Sequence, residues 1–350
     1  MKILFVFTGG TIGSAVQDDH ISLDAACTYE LLEGYRERYG MPFEFDTVSP
    51  YSLLSEYSDG RVIGGLVRFI GRYIEQDYDG IVVMHGTDTL QYSAAALGYA
   101  FSGTRVPICL VSAAYPLSDA RSNGFDNLHG AICFIRTAQR GGVYVSYRNS
   151  GEAVAIHRAT RLLASEAFSD RVASLGGEVG HFDAAWNFCA NAAYAEREDA
   201  LDPIGAIKLP ATCEGVLRLQ VYPGMRYPAL DGVRYVLLEG YHSGTLNTAD
   251  PCGHRFFAQA RERGIPVFLA GATPGIGYAS ELAFDSLGIR PICNISPVAL
   301  FVKLWMLDAA HPERRVNANE LERSLGGDVF GGGEPPQKEL PLTLRFLPES

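Results

Sequence analysis

The sequence predicts an α/β fold in two parts, a larger N-terminal domain built on a parallel sheet and a smaller C-terminal α/β domain. Three observations carry this. Short, almost wholly apolar runs alternate with amphipathic helical stretches; glycine turns follow the apolar runs directly; and the alternation resumes after an irregular stretch. Strands buried on both faces read as continuous apolar runs, and strand–helix alternation places them in a parallel sheet covered by helices. In such sheets ligands sit beyond the carboxyl ends of the strands. The loops that follow the strands are therefore where chemistry is sought.

In chain order, the strand candidates of the first domain are Ile3–Phe7, Gly80–Met84, Pro107–Val111 and Gly142–Val145. Helices are predicted over Arg61–Glu75, where Val62, Leu66, Phe69, Ile70 and Tyr73 recur at helical spacing, and over Leu90–Phe101. From about Ala185 to Pro210 the pattern weakens into an irregular connection, which sets a boundary near residue 205 and domains of 1–204 and 205–350. The second domain then offers strands Gly215–Val221, Arg234–Leu238 and Pro266–Leu269, with helices near His254–Arg263 and Val298–Asp308. The tail from Gly326 is rich in glycine and proline and is expected to lie over the surface.

With 350 residues the chain is long enough for a sizeable core, and 47% hydrophobic with 20% charged residues is a globular profile. A formal net charge of −11 argues against nucleic acid and against an anionic membrane surface, both of which select clustered positive charge. The seven cysteines are scattered, odd in number and without metal-ligand spacing, so reduced and mostly buried thiols are expected. The run Ile3–Phe7 is too short for an export signal and leads straight into a glycine turn, and the expected location is the cytoplasm.

Two strand ends carry the chemistry. The first strand runs into Thr8, Gly9, Gly10, Thr11, Ile12 and Gly13, where paired glycines allow a sharp turn and a close approach to a ligand. The spacing fits neither a dinucleotide fingerprint nor a phosphate loop, although a plain strand–loop connection also reads this way. The second ends in His85, Gly86, Thr87, Asp88 and Thr89. Thr89 stands where a helix N-cap belongs, and Thr87 or Asp88 are alternative caps. Two hydroxyls and a carboxylate meeting in one crevice suit nucleophilic attack on an acyl carbon.

Together these two motifs resemble the bacterial L-asparaginase and asparaginase–glutaminase family, and the resemblance continues along most of the chain. Ser55 and Glu56 match the pair that holds the substrate's amino and carboxylate groups in that family. Ser112 to Pro116 and Ser122 to Leu128 follow its third strand and the loop beyond, and Val221 to Gly224 with Tyr241 to Asn247 are closer to its cytosolic branch. The resemblance implies that Thr11 is the nucleophile that attacks a side-chain carboxamide, giving an acyl-enzyme and ammonia without a cofactor. It implies that Thr87 and Asp88 are the second catalytic pair, with Asp88 also contacting the substrate's ammonium group, a charge-assisted contact. It implies further that Ala113 offers a backbone carbonyl to the amide nitrogen, and that Asn247 reaches a neighbouring subunit's site in a homodimer or homotetramer.

Two positions depart from the family. A lysine is expected beside the second threonine and the aspartate, yet no lysine occurs between Lys2 and Lys208, and Arg161 falls at its place. Arginine stays protonated in proteins, so Arg161 would hold Asp88 or stabilise an oxyanion but would not accept a proton. The loop after Thr11 lacks the family's tyrosine; His20 stands near that place, either as a general base or as a solvated loop residue. His85, before the Gly86 turn, reads as structural; His129, His157, His242, His254 and His311 show no metal spacing, and no metal is expected. The function expected is hydrolysis of L-asparagine to L-aspartate and ammonia with an altered proton relay. The alternatives are a non-catalytic amino-acid-binding relative and an amidase for glutamine or for a peptidyl or aminoacyl asparagine.

Overall fold

The computed structural model describes residues 1–10, 14–17, 20–23, 26–137, 140–272 and 278–331, with the side chains of 11–29 outside that description. Thr11 therefore lies outside the described residues, as does the side chain of His20.

The strands are β1 (Lys2–Phe7), β2 (Ser14–Gln17), β3 (His20–Leu23), β4 (Glu44–Val48), β5 (Gly80–Met84), β6 (Pro107–Val111), β7 (Gly142–Arg148), β8 (Val154–Arg158), β9 (Gly180–Phe182) and β10 (Phe188–Ala190), then β11 (Val216–Gln220), β12 (Tyr235–Glu239), β13 (Val267–Ala272) and β14 (Ile289–Cys293). The helices are α1 (Ala26–Tyr39), α2 (Gly60–Ile70), α3 (Leu90–Ala100), α4 (Gly124–Thr137), α5 (Pro251–Glu262), α6 (Phe284–Leu287), α7 (Pro297–Ala310) and α8 (Ala318–Glu322). An eight-stranded sheet has the order β10-β9-β8-β7-β6-β5-β1-β4, and a four-stranded sheet the order β11-β12-β13-β14. Strands β4, β1, β5, β6 and β7 pair in parallel, whereas β8, β9 and β10 add on antiparallel. The second sheet is parallel throughout.

Alternation along the strands divides the core of the first sheet. Leu4, Val6, Ile81 and Val83 face α2 and α3, while Ile3, Phe5, Val82 and Met84 face α1 and α4. Helix α7 of the second sheet's region packs on α3, so Ala299, Leu300 and Leu304 share one core with Ala94, Leu97 and Tyr99. The strands and helices predicted from the sequence are present, although the second helix ends at Ile70 and not at Glu75.

Two expectations fail, the first of them for the start of the tail, since residues 332–350 lie outside the described residues. Residues Gly326 to Val329 do not lie over the surface; they are buried between the two sheets' helices and loops. The cause is a buried ion pair, because Lys303 Nζ lies 2.8 Å from Asp328 Oδ2 with both side chains fully enclosed. The thiols are also less buried than expected: of the six described, only Cys109 and Cys133 are buried, and Cys252 is exposed. No helix among the described residues is long and apolar enough to cross a membrane.

Burial of histidines sets an acid limit on stability. His157 on β8 is 4% exposed, with Nδ1 2.9 Å from Ser174 Oγ and no hydrogen-bond partner at Nε2, and burial lowers its pKa to about 4. His129 on α4 stacks on Tyr39 with ring centroids 3.9 Å apart, and burial, then the nearby Arg136, also lowers it to about 4. A histidine with a depressed folded-state pKa stabilises fully above its unfolded value of about 6.5, and that contribution is lost as pH falls through about 4. The unfolded chain binds these protons first, so stability falls between the two values, by at most roughly 3 kcal/mol for His157. The melting temperature is expected to drop steadily from pH 7 to pH 4.5, and less steeply in His157→Gln; equal slopes for the two proteins would contradict this.

Candidate active site

Two close backbone approaches assemble the site at the carboxyl ends of β1 and β5. Thr8 leaves β1 with its hydroxyl donating to the Met84 carbonyl at 2.7 Å, and Gly10 N donates to Leu53 O at 3.2 Å. Gly9 and Gly10 have φ of 99° and 79°, which favour glycine. A Cβ on Gly10 would lie 2.3 Å from Gly86 N, so this crossing of the two turns admits no side chain. Gly86 is confined in the same way, because its Cβ would fall 2.4 Å from Ser55 Oγ.

The packed glycines bring Ser55 against the β5 turn. Ser55 opens a short 3-10 helix, Ser55–Tyr57, and is buried; its hydroxyl donates to Asp88 Oδ2 at 3.3 Å. Thr89 is the N-cap residue of α3, but its hydroxyl donates to Ser55 O at 3.0 Å and makes no cap bond to the helix amides, contrary to the capping role expected for it. Glu56 and Asp88 are exposed and Thr87 is half-buried, so the polar groups face an accessible space. His85 is buried with Nδ1 2.8 Å from the Gly86 carbonyl oxygen, and burial lowers its pKa, which fits a structural role.

Thr87, Asp88, Leu90 and Gln91 line a cavity of about 600 Å³ whose remaining wall is Leu162, Leu163 and residues 165–172. Its neighbour, of about 630 Å³, contains Ala114 and Tyr115 and shares Ser169, Asp170 and Arg171 with it. Ala113, at the end of β6, is fully buried between two clamped residues: Asn127 Nδ2 donates to Ser112 O at 2.8 Å and Ala114 N donates to Asn123 Oδ1 at 2.9 Å. The wall from Leu162 to Val172 and the contribution of Gln91 are not legible in the sequence. The loop has no periodicity to mark it, and Gln91 merely follows the second motif on the first turn of α3.

Two predicted residues stand apart from this cluster. Asn247 lines a separate cavity of about 290 Å³ with Tyr222, Tyr241 and Asp250, and its Oδ1 accepts from Ala249 N at 3.1 Å. Arg161 is fully buried in a 3-10 turn, Ala159–Arg161, and its side-chain hydrogen bonds go to backbone carbonyls. Nε donates to Gly327 O at 2.7 Å, and Nη2 to Ala195 O at 2.8 Å and Val329 O at 3.1 Å. Its guanidinium carbon lies 4.8 Å from the Tyr194 ring centroid. The expected contact with Asp88 is not among its hydrogen bonds or ion pairs. Three convergent carbonyls draw the donor fork toward the C-terminal segment. Burial pulls the guanidinium's pKa below its ordinary value, while Tyr194 and Glu196 push the other way. Among the described residues no group of three or more His, Cys, Asp or Glu side chains is arranged to hold a metal ion.

Comparison with known proteins agrees with this architecture. The family described as "Asparaginase, N-terminal" matches residues 2–174. An L-asparaginase of Thermococcus kodakarensis is 33% identical over 355 residues, spanning 95% of this chain and 100% of that protein. A glutamyl-tRNA(Gln) amidotransferase subunit of Haloquadratum walsbyi is 37% identical over 299 residues, 79% of this chain and 64% of that one. The crystal structure of L-asparaginase I from Vibrio cholerae has the same fold, with a TM-score of 0.72 at 21% identity over 94% of this chain and 98% of that one. From 33% identity to one of its members over nearly the full length of both chains, together with the shared fold, it follows that this chain belongs to the asparaginase family.

Proposed function

We propose that the protein hydrolyses the side-chain amide of L-asparagine to L-aspartate and ammonia through an acyl-enzyme on Thr11. The observation that carries this reading is the meeting of the β1 and β5 turns, with Gly10 against Gly86 and Ser55 bonded to Asp88. In this reading Thr11 Oγ attacks the carboxamide carbon, the tetrahedral adduct collapses, ammonia leaves with the proton it gains, and water releases aspartate from the ester. Asp88 and Ser55, with Glu56, hold the ammonium and carboxylate of the substrate, Thr87 takes part in the second proton transfer, and the Ala113 carbonyl accepts from the amide nitrogen. His20 supplies the base for Thr11, because residues 3–207 contain no lysine and Arg161 is bound elsewhere. Asn247 acts from a neighbouring copy of the chain in a homodimer or homotetramer, since within one chain it lies in a different cavity. The cytoplasm fits the seven unpatterned cysteines of the chain.

A second reading has its own support. A cavity of about 600 Å³ is larger than a free amino acid needs, and cavities of roughly 300–1,000 Å³ take drug-sized ligands. An amide on a larger carrier, such as a peptidyl or aminoacyl asparagine, is therefore the runner-up to free asparagine, with glutamine beside it. The deciding experiment measures ammonia release by the purified protein from asparagine, glutamine and an asparagine-containing peptide in parallel, with calorimetry on each. Fastest release from asparagine supports the first reading, and fastest release from the peptide the second. Binding without ammonia release would replace both with an amino-acid-binding role.

A further inference from the structure

We propose that Arg161 is a positioning residue for the Thr87–Asp88 cavity, tying the base of the cavity's loop wall to the C-terminal segment, and that it takes no part in proton transfer. This rests on the cavity being the substrate site of the reading above. The loop that walls the cavity leaves the core at Leu162 and returns at Ser174, and its two ends meet at Arg161. Leu162 and Ser174 form an antiparallel bridge, Leu163 N donates to Ala173 O at 2.9 Å, and Leu175 N donates to Arg161 O at 2.8 Å.

While its main chain closes the loop, the Arg161 side chain reaches the other way. Its fork takes the carbonyls of Gly327, Val329 and Ala195, so one residue joins the loop base to two distant segments. Neighbours act in the same direction. Thr160 Oγ1 donates to Gly326 O at 2.7 Å and Arg158 Nε to the same oxygen at 2.8 Å. The C-terminal segment is held in turn by the enclosed Lys303–Asp328 pair. The loop base is thus pinned to a rigid anchor. Lysine carries its donors on one nitrogen and does not reproduce a planar fork spread over three carbonyls.

The test is hydrogen exchange of the full-length chain in wild type, Arg161→Lys, Arg161→Gln and Thr160→Val, combined with steady-state kinetics. Thr160→Val removes one bond to Gly326 and keeps the side chain's shape. The expected result is exchange about tenfold faster or more at the amides of Leu163 and Leu175 in both Arg161 variants, a smaller rise in Thr160→Val, and β5 and α3 unchanged. Where turnover is measurable, KM rises more than kcat falls, and the pH profile of kcat keeps its shape. Unchanged exchange over 163–175 in Arg161→Lys would overturn the proposal, as would a rise in its kcat. Exchange is read without substrate, so an inactive wild type defeats the asparaginase reading, whereas the tie between the loop base and the C-terminal segment stands or falls on exchange alone.

Discussion

Asp88→Asn is expected to lower ammonia release from the best substrate by about 10²–10⁴-fold, the range for removing an acid–base group's part in a transition state, and Thr11→Ala by more, on the order of 10⁶-fold, as for removal of a nucleophile. The two should differ in how the loss divides. On the proposed mechanism Thr11→Ala removes the atom that forms the ester and leaves the ammonium contacts in place, so kcat falls and binding persists. Asp88→Asn removes the negative charge proposed to face the substrate's ammonium and leaves Ser55 Oγ with an amide to bond, so binding weakens as well. Calorimetry on both variants separates these outcomes. Turnover in Thr11→Ala equal to that of the wild type would exclude a Thr11 acyl-enzyme altogether, and unchanged affinity in Asp88→Asn would remove the ammonium contact.

Lys303→Met is expected to cost about 3–5 kcal/mol, a large fraction of a domain's stability, because it strands Asp328 as a buried charge. Lys303 Nζ, with its side chain fully enclosed, donates to Asp328 Oδ2 at 2.8 Å and to the carbonyls of Leu321 and Arg323. Asp328 receives the Tyr99 hydroxyl at 3.1 Å and Leu325 N at 2.9 Å as well. Burial raises the Asp328 carboxyl above its ordinary range, against the attraction of Lys303. The paired variant Lys303→Met with Asp328→Asn should recover part of the loss, since no net charge is then left inside, although the Leu321 and Arg323 carbonyls lose their donor. Urea unfolding of the single and double variants measures this, and a double variant no more stable than Lys303→Met would show that charge is not the main term.

The parts of the fold that the sequence reveals are those where burial on both faces removes polar residues. Strands β1, β5, β6 and β7 are apolar almost from end to end, and the turns after β1 and β5 carry residue types that few other roles require. Strand β8 is hidden because V-A-I-H-R ends in His157, buried against Ser174, and Arg158, whose acceptor Gly326 O lies far along the chain, so the pair look like a polar loop. Helix α4 is hidden because its residues are absorbed into the motif that follows β6. At the site, Thr87 and Asp88 are legible from the motif that ends β5, and Ser55 only through the resemblance to the asparaginase family. Arg161 falls in the right region with the wrong direction: spacing fixes where a side chain starts, whereas its three acceptors come from residues 195, 327 and 329.

The return of Gly326 to Val329 beneath β8 also orders events in time. Arg158, Thr160 and Arg161 find their acceptors 166 to 168 residues downstream. A nascent chain that has extruded the whole eight-stranded sheet still carries guanidinium groups without these partners until almost the last described residue has emerged. Closing so long a loop is entropically slow, and contacts of this separation form late. The eight-stranded half is thus completed by residues 326–329, so synthesis of the first sheet alone leaves the wall of the Thr87–Asp88 cavity unfastened.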